Sequence, residues 1–291
     1  LKTILISGST GNVGQNVIAH LRPYVGEFRI LAGVRSVEEP NQTLPSKGIE
    51  QVHFDFNDET SLEQALKQSD VLFLLRPPQL TDINRYFKPI VDIAKRVQLE
   101  HIVFLSVQGA ENNTFIPHHK IEQLIIESRI PYTFLRPAYF MQNFTTTLRE
   151  DLVKESQIIL PAGNTKFTLV DLQDVGRVTA KVLTNTAIYR NQAFALTSEK
   201  PLSFHQMADI LSKQLDRKIK YESPNLLSFY WKKRRQKMAP AFILVMIMLH
   251  YLPRFKSTPP ISDAVKKITG KTPNSFTEFV RNNKALLMQD Q

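Results

Sequence analysis

The sequence predicts an α/β protein built on a doubly wound parallel sheet, with a smaller, mostly helical C-terminal lobe. Three observations predict it. Short, continuous apolar runs alternate with segments of helical spacing through the first half of the chain. Strands of that kind are buried on both faces, which requires a sheet covered by helices on both sides. A glycine-rich turn separates the first run from the first helix, and beyond residue 155 the alternation gives way to helical patterns.

Residues 3–7 form the first expected strand, and Val13, Val17, Ile18 and Leu21 follow at helical spacing. Residues 29–34 and 51–56 are the second and third strands. Between them, residues 36–48 contain Pro40, Pro45 and Gly48, so a loop or single turn is expected there in place of a helix. A short helix over 61–67 leads to a fourth strand over 71–75. A helix over 83–97 follows, with Ile90, Ile93, Ala94 and Val97 on one side. A strand over 101–106, a helix over 121–127 and a strand over 132–135 complete the rhythm. Downstream, 157–160 and 193–196 read as strands, and 175–183, 204–215, 226–237, 240–252, 261–268 and 276–287 as helices. The expected division is a domain over 1–155 and a mostly helical region over 156–291, with some return of chain to the sheet.

The 291 residues include no cysteine, which excludes disulfides, thiolate metal sites and a cysteine nucleophile, and suits the cytoplasm. Lys and Arg number 37 against 27 acids, a net charge of +10 that favours anionic partners. The dense run Lys232–Arg235 reads as a solvated helix face, and no nucleic-acid recognition motif stands beside it. The chain starts directly on a strand pattern, so no signal peptide is expected. The most apolar stretch, 241–249, is far shorter than the ~20 residues that span a bilayer, so a buried helix or a pocket lid is expected and no membrane partner.

Chemistry concentrates at the first turn. Gly8, Ser9, Thr10, Gly11, Asn12, Val13 and Gly14 give a GxxGxxG spacing directly between strand and helix. This is the Rossmann-type arrangement for a dinucleotide. Gly8 permits the tight turn, Gly11 lets a pyrophosphate approach the backbone, and Gly14 lets the helix pack closely. Amide N–H groups at the helix start then hold the phosphates. At the end of the second strand, where an NAD site carries an acid for the ribose 2′-hydroxyl, stand Arg35 and Ser36. A guanidinium suits a 2′-phosphate, so NADP(H) is favoured over NAD(H). Asp55 and Phe56 are placed to touch the adenine, although Asp58 beside them equally suits a helix cap. Leu74, Leu75 and Arg76 end the fourth strand and Ser106 and Val107 the fifth, at carboxyl ends that line the ligand crevice in such sheets.

The glycine turn, Arg35, the run from Ser106 to Ala110, the run from Ile130 to Pro137 with Phe140–Asn143, and the tail around residues 268–279 resemble the NmrA-like proteins, atypical members of the short-chain dehydrogenase/reductase superfamily. The resemblance implies a dinucleotide domain with a small C-terminal lobe. Some relatives are reductases of quinones, dyes or isoflavonoid-type compounds. Others bind NADP as redox sensors or transcriptional co-regulators. It also implies that the backbone at Pro137 and Tyr139 contacts the nicotinamide. Beside it Phe140, Met141 and Phe144 offer an apolar wall for a substrate, Asn143 is placed to orient a polar substrate group, and Phe167 is a candidate lid element.

The superfamily's Tyr-x-x-x-Lys pair is missing from the expected helix, which reads Phe115 to Glu122. His118 stands where many relatives carry lysine. It is the candidate general acid, or else a ribose contact. No metal site is expected. The leading expectation is an NADPH-dependent reductase of a small aromatic or quinone-like substrate. The alternative is a non-catalytic NADP(H) sensor acting through a protein partner.

Overall fold

In the computed structural model of the chain, the described residues are 1–37 and 48–288. The loop expected over 36–48 therefore lies almost wholly outside the described residues. The chain divides into two units, each built from three segments. Leu1–Ala138, Leu172–Leu196 and Asp263–Thr272 form the first. Tyr139–Asp171, Thr197–Ser262 and Pro273–Gln291 form the second.

The first unit holds the sheet. Its strands are β1 (Lys2–Ile6), β2 (Phe28–Val34), β3 (Ile49–His53), β4 (Val71–Leu75), β5 (His101–Leu105), β6 (Tyr132–Pro137) and a seventh strand, Gln192–Leu196. In space the order is seventh, β6, β5, β4, β1, β2, β3. Every neighbour pairs in parallel. The order reverses between β1 and β4, and ligands of doubly wound sheets bind outside the carboxyl ends of strands at such a point.

Because side chains alternate along a strand, each apolar run feeds two cores. Leu72, Leu74, Ile102, Phe104 and Phe134 pack with α2 (Glu59–Lys67), α4 (Lys88–Arg96) and α5 (Pro117–Ser128). Ile4, Ile6, Phe73 and Val103 are fully buried on the other side, where α1 (Asn12–Leu21) packs against α7 (Leu172–Thr184).

The helix expected over 83–97 is broken into α3 (Ile83–Tyr86) and α4. Asp82 caps the first by accepting from the Arg85 amide. Pro89 lacks the N–H that an interior position needs, and it sits in the first turn of α4, where that group has no partner to lose.

The second unit has its own core around Phe144, Phe204, Phe229 and Phe279. Its helices are α6 (Arg149–Glu155), α8 (Phe204–Leu215), α9 (Leu226–Arg235), α10 (Pro240–Tyr251), α12 (Phe276–Asn282) and α13 (Lys284–Met288), while α11 (Ala264–Thr269) belongs to the first unit. The helix expected over 276–287 is thus two. Capping boxes start α8 at Ser203 and α12 at Ser275.

Two expectations need correction here. The run Lys232–Arg235 is not a uniformly solvated face. Lys233 is buried and paired with Asp151, and Gln236 donates to the same carboxylate at 2.6 Å. Lys232 pairs with Glu155 at 2.6 Å. The stretch 241–249 is not a buried helix. Ile243 and Met246 enter the core, but Leu244 is 59% and Leu249 50% exposed. No helix among the described residues is long and apolar enough to cross a membrane.

Candidate functional site

The turn after β1 is tied down on both sides by serines. Ser7 sends its N–H to the Phe73 carbonyl at 3.0 Å, and its hydroxyl accepts from the Leu75 amide at 2.8 Å, which locks β1 to the end of β4. Ser9 is buried and donates to the Gly33 carbonyl at 2.7 Å, which fixes the turn against the end of β2. Its one hydroxyl proton is thereby used internally.

The three glycines have separable roles. Gly8 has φ +61°, and a Cβ there would lie 2.8 Å from Leu75 Cδ2. A Cβ on Gly14 would lie 2.2 Å from the Gly8 oxygen, so only glycine lets α1 begin this close to the turn. A Cβ on Gly11 would meet only the Gly8 oxygen, at 3.5 Å, an ordinary contact. The protein itself thus does not require glycine at 11, and the space before it is open. Gly11 is the N-cap of α1, no side chain caps that end, and the first turn carries no acid. Unsatisfied amides and the helix dipole there suit an anion.

Arg35 and Ser36 directly follow β2 and are exposed. Asp55 follows β3 and accepts from the Asn57 amide at 2.9 Å. Asp58 caps α2 by accepting from Thr60 at 3.0 Å, so of the two acids it is the helix cap. Phe56 packs edge-on against Phe54 and Phe87, each at 5.6 Å between centroids. At the end of β4, Leu74 is buried in the core while Leu75 backs the glycine turn.

Beyond β4, Arg76 is held by its own turn, donating to the carbonyls of Pro78 at 3.1 Å and Leu80 at 3.0 Å. Its Nε donates a long bond to His118 Nε2 at 3.5 Å. Arginine can only donate, so Nε2 of His118 accepts and the ring proton lies on Nδ1. Burial first, and then the Arg76 charge, lower the His118 pKa to about 4. His118 is therefore neutral near pH 7 and reaches that pH without an acidic imidazolium proton. The expected general acid can act there only as a neutral N–H donor.

Helix α5, which bears His118, is tied to β6 by a lock the sequence reading missed. Arg136, at the end of β6, makes a two-pronged bond to Glu122 on α5, at 3.0 and 2.6 Å, and reaches Glu111 at 3.2 Å. Glu122 is buried. The only sequence signal was a buried-strand arginine 14 residues from an acid on an apolar helix face. At the end of β5, Ser106 is buried and its hydroxyl has no partner among the described residues. A buried, unsatisfied hydroxyl costs about 1–3 kcal/mol, and a ligand atom would relieve that cost.

The remaining expected residues lie in the second unit, apart from Val107 and Pro137 at the ends of β5 and β6. Tyr139 donates to His250 Nε2 at 3.1 Å. His250 Nδ1 faces the Met246 carbonyl at 2.6 Å, so that nitrogen carries the proton. Burial raises the Tyr139 phenol pKa, and a bond from Asn143 opposes that shift in part. Met141 and Phe144 are fully buried and Phe167 is 8% exposed, all within the second unit's core. Phe140 pairs with Val170 in a short two-stranded ladder and is half-buried. A shallow cavity of about 280 Å³ in this unit is lined by Ser198, Leu202, Ile210 and Phe276 among others, and by none of the expected site residues. Among the described residues no cluster of three metal-ligating side chains occurs.

The features of the first unit fit a dinucleotide: an open glycine cradle, a helix end without a side-chain cap, an orphaned hydroxyl and a cation past β2. The comparisons agree. The sequence profile of the NmrA-like family matches residues 1–239. The prestalk A differentiation protein A of Dictyostelium discoideum is 26% identical over 279 residues, covering 96% of this chain and 91% of that protein. The triphenylmethane reductase of Citrobacter sp., solved with NADP(H), is 25% identical with a TM-score of 0.85, covering 97% of this chain and 99% of that one. The NADPH-dependent quinone oxidoreductase of Escherichia coli, solved with NADPH, has the same fold, with a TM-score of 0.87 at 22% identity over 96% of this chain and 99% of that one.

Proposed function

The chain belongs to the NmrA-like family and is an NAD(P)H-binding, oxidoreductase-like protein, and from that premise we propose that it is an NADPH-dependent reductase of a small aromatic or quinone-like compound. On this reading it is an atypical short-chain dehydrogenase/reductase that works without the Tyr-x-x-x-Lys pair. The observation that carries the reading is the Arg76–His118 pair at the carboxyl edge of a sheet whose first turn is an open glycine cradle.

The amides that open α1 would hold the pyrophosphate, and Arg35 with Ser36 the 2′-phosphate. Ser106 would bond the nicotinamide end. When bound, the reduced nicotinamide supplies the hydride. The protein's own part is to set charge and proton. Neutral His118 offers Nδ1–H as a hydrogen-bond donor. The Arg76 cation behind it stabilises negative charge developing on an acceptor oxygen. Water delivers the proton. A triphenylmethane compound and a quinone, named as substrates for the two reductases above, are both conjugated ring systems that accept a hydride, which supports this substrate class.

A second reading, a non-catalytic NADP(H) sensor working through a protein partner, is favoured by the same low His118 pKa, because it leaves His118 no acidic proton at neutral pH. The two separate when the protein is mixed with NADPH and a panel of quinones and the absorbance of reduced nicotinamide is followed. Steady oxidation that falls roughly 100-fold in His118→Ala supports the reductase. Tight NADP binding with no oxidation of any acceptor overturns it in favour of the sensor.

A further inference from the structure

A solvent-facing helix of a soluble protein normally carries polar residues on its outer side. α10, with the sequence PAFILVMIMLHY, carries none from Pro240 to Leu249. Only one stripe, Ile243, Met246 and His250, is buried. The opposite face presents Leu244, Val245, Met248 and Leu249, between 42% and 59% exposed. The edges are aromatic. Trp231 on the adjoining α9 is 56% exposed and Phe255 beyond the helix is 71% exposed.

The charge along this segment of the chain has one sign. Residues 224–262 contain seven lysines and arginines and no aspartate or glutamate. Lys232 and Lys233 are paired with Glu155 and Asp151. Arg235, Lys237, Arg254 and Lys256 are exposed, and none pairs with a carboxylate among the described residues. An apolar helix rimmed by cations and aromatic rings fits an anionic bilayer surface, where acyl chains take the apolar face and phosphates take the rim. A second copy of the chain fits poorly, since a two-fold contact sets this uniformly cationic segment against itself. Twelve residues make a helix about 18 Å long, well short of the ~30 Å hydrocarbon core, so α10 would lie in the interface and not cross it.

We infer that α10 and its basic, aromatic rim form a docking surface for anionic membranes. This reverses the sequence expectation of no membrane partner, and it stands independently of the nucleotide reading. The chain has a single tryptophan, Trp231, at the edge of the surface, which makes a built-in reporter. Full-length protein is sedimented with vesicles of phosphatidylglycerol and phosphatidylcholine, or of phosphatidylcholine alone, while Trp231 emission is recorded.

The expected result is sedimentation with the anionic vesicles, weakened by salt, with a blue shift quenched by brominated acyl chains. The double substitution Leu244→Asp with Leu249→Asp lowers partitioning by roughly tenfold or more. Arg235→Glu with Lys237→Glu lowers it by about fivefold per residue, without touching the apolar face. All four positions are exposed, and unchanged circular dichroism confirms folding. The inference is overturned if the wild type stays in the supernatant at millimolar anionic lipid. It is equally overturned if sedimentation velocity shows a dimer that Leu244→Asp with Leu249→Asp dissociates.

Discussion

Gly11 and Gly14 belong to one motif, but the structure asks different things of them. A side chain on Gly14 collides with the Gly8 carbonyl, so Gly14→Ala damages the turn itself. A methyl on Gly11 meets nothing closer than 3.5 Å and φ there is −83°, so alanine is tolerated by the fold. Gly11→Ala is therefore expected to cost no more than about 1 kcal/mol in urea denaturation. It should still weaken nucleotide binding by about tenfold or more in calorimetry, because the methyl fills the open approach. Binding unchanged by that methyl would place the phosphates elsewhere. Arg35→Ala is expected to weaken NADP by roughly 10- to 100-fold and to leave NAD nearly untouched. An equal loss for both would show that Arg35 does not meet the 2′-phosphate. The packing demands at Gly8 and Gly14 were legible in the sequence because glycine spacing encodes backbone geometry directly. The charge state of His118 was not legible, because it is set by burial and by Arg76, which lies 42 residues away. The same burial gives a rate prediction. Quinone reduction should be flat between pH 5.5 and 8, whereas an imidazolium acid near its ordinary pKa of 6.5 would make the rate fall over that range.

Elements were read well where one local pattern decides them. The apolar runs of β4 and β5 could only be strands buried on both faces, and both were placed within a residue. Helix ends were read less well, since a proline or a cap breaks a periodic pattern without disturbing its period, as at Pro89 and Asn283. Pairings between elements were not legible at all. Lys233 is buried one turn after Phe229 on α9, and its partner Asp151 stands 82 residues earlier. The apolar run 241–249 carried no sign of which side would stay outside, because it is hydrophobic all round. The Arg136–Glu122 lock is the pairing that matters most for the site, because it joins α5, the helix that bears His118, to β6. Arg136→Met should strand a buried carboxylate and cost about 3–5 kcal/mol in urea denaturation. Glu122→Gln with Arg136→Met together should recover part of that loss, since no buried charge is then left unpaired. A single substitution that costs under 1 kcal/mol would mean that the pair does not hold α5.

Across the whole molecule, buried histidines link folding to pH in both units. His101 and His118 in the first unit and His250 in the second each have a pKa lowered from 6.5 to about 4, with burial the largest cause. A histidine depressed in this way is neutral in the folded chain while the unfolded chain already binds a proton. Its contribution is thus complete above pH 6.5 and is lost as pH falls toward 4. Glu50, Glu63 and Glu278 are also lowered, from 4.5, chiefly by hydrogen bonds from Arg29, Lys67 and Ser275, so their linkage acts at lower pH. Between pH 6.5 and 4.5 the histidines therefore dominate the slope. Each bound proton is worth about 1.4 kcal/mol per pH unit, and His250, with both nitrogens engaged, is worth about 3 kcal/mol over its full range. His250→Gln keeps an acceptor for the Tyr139 hydroxyl but cannot titrate. Urea denaturation at intervals from pH 7 to 4.5 should show a stability that falls with acid in the wild type. In His250→Gln the slope should be shallower by close to one proton. Parallel slopes would mean that the second unit lets water or a proton reach His250, and that the aromatic core around it is looser than its burial implies.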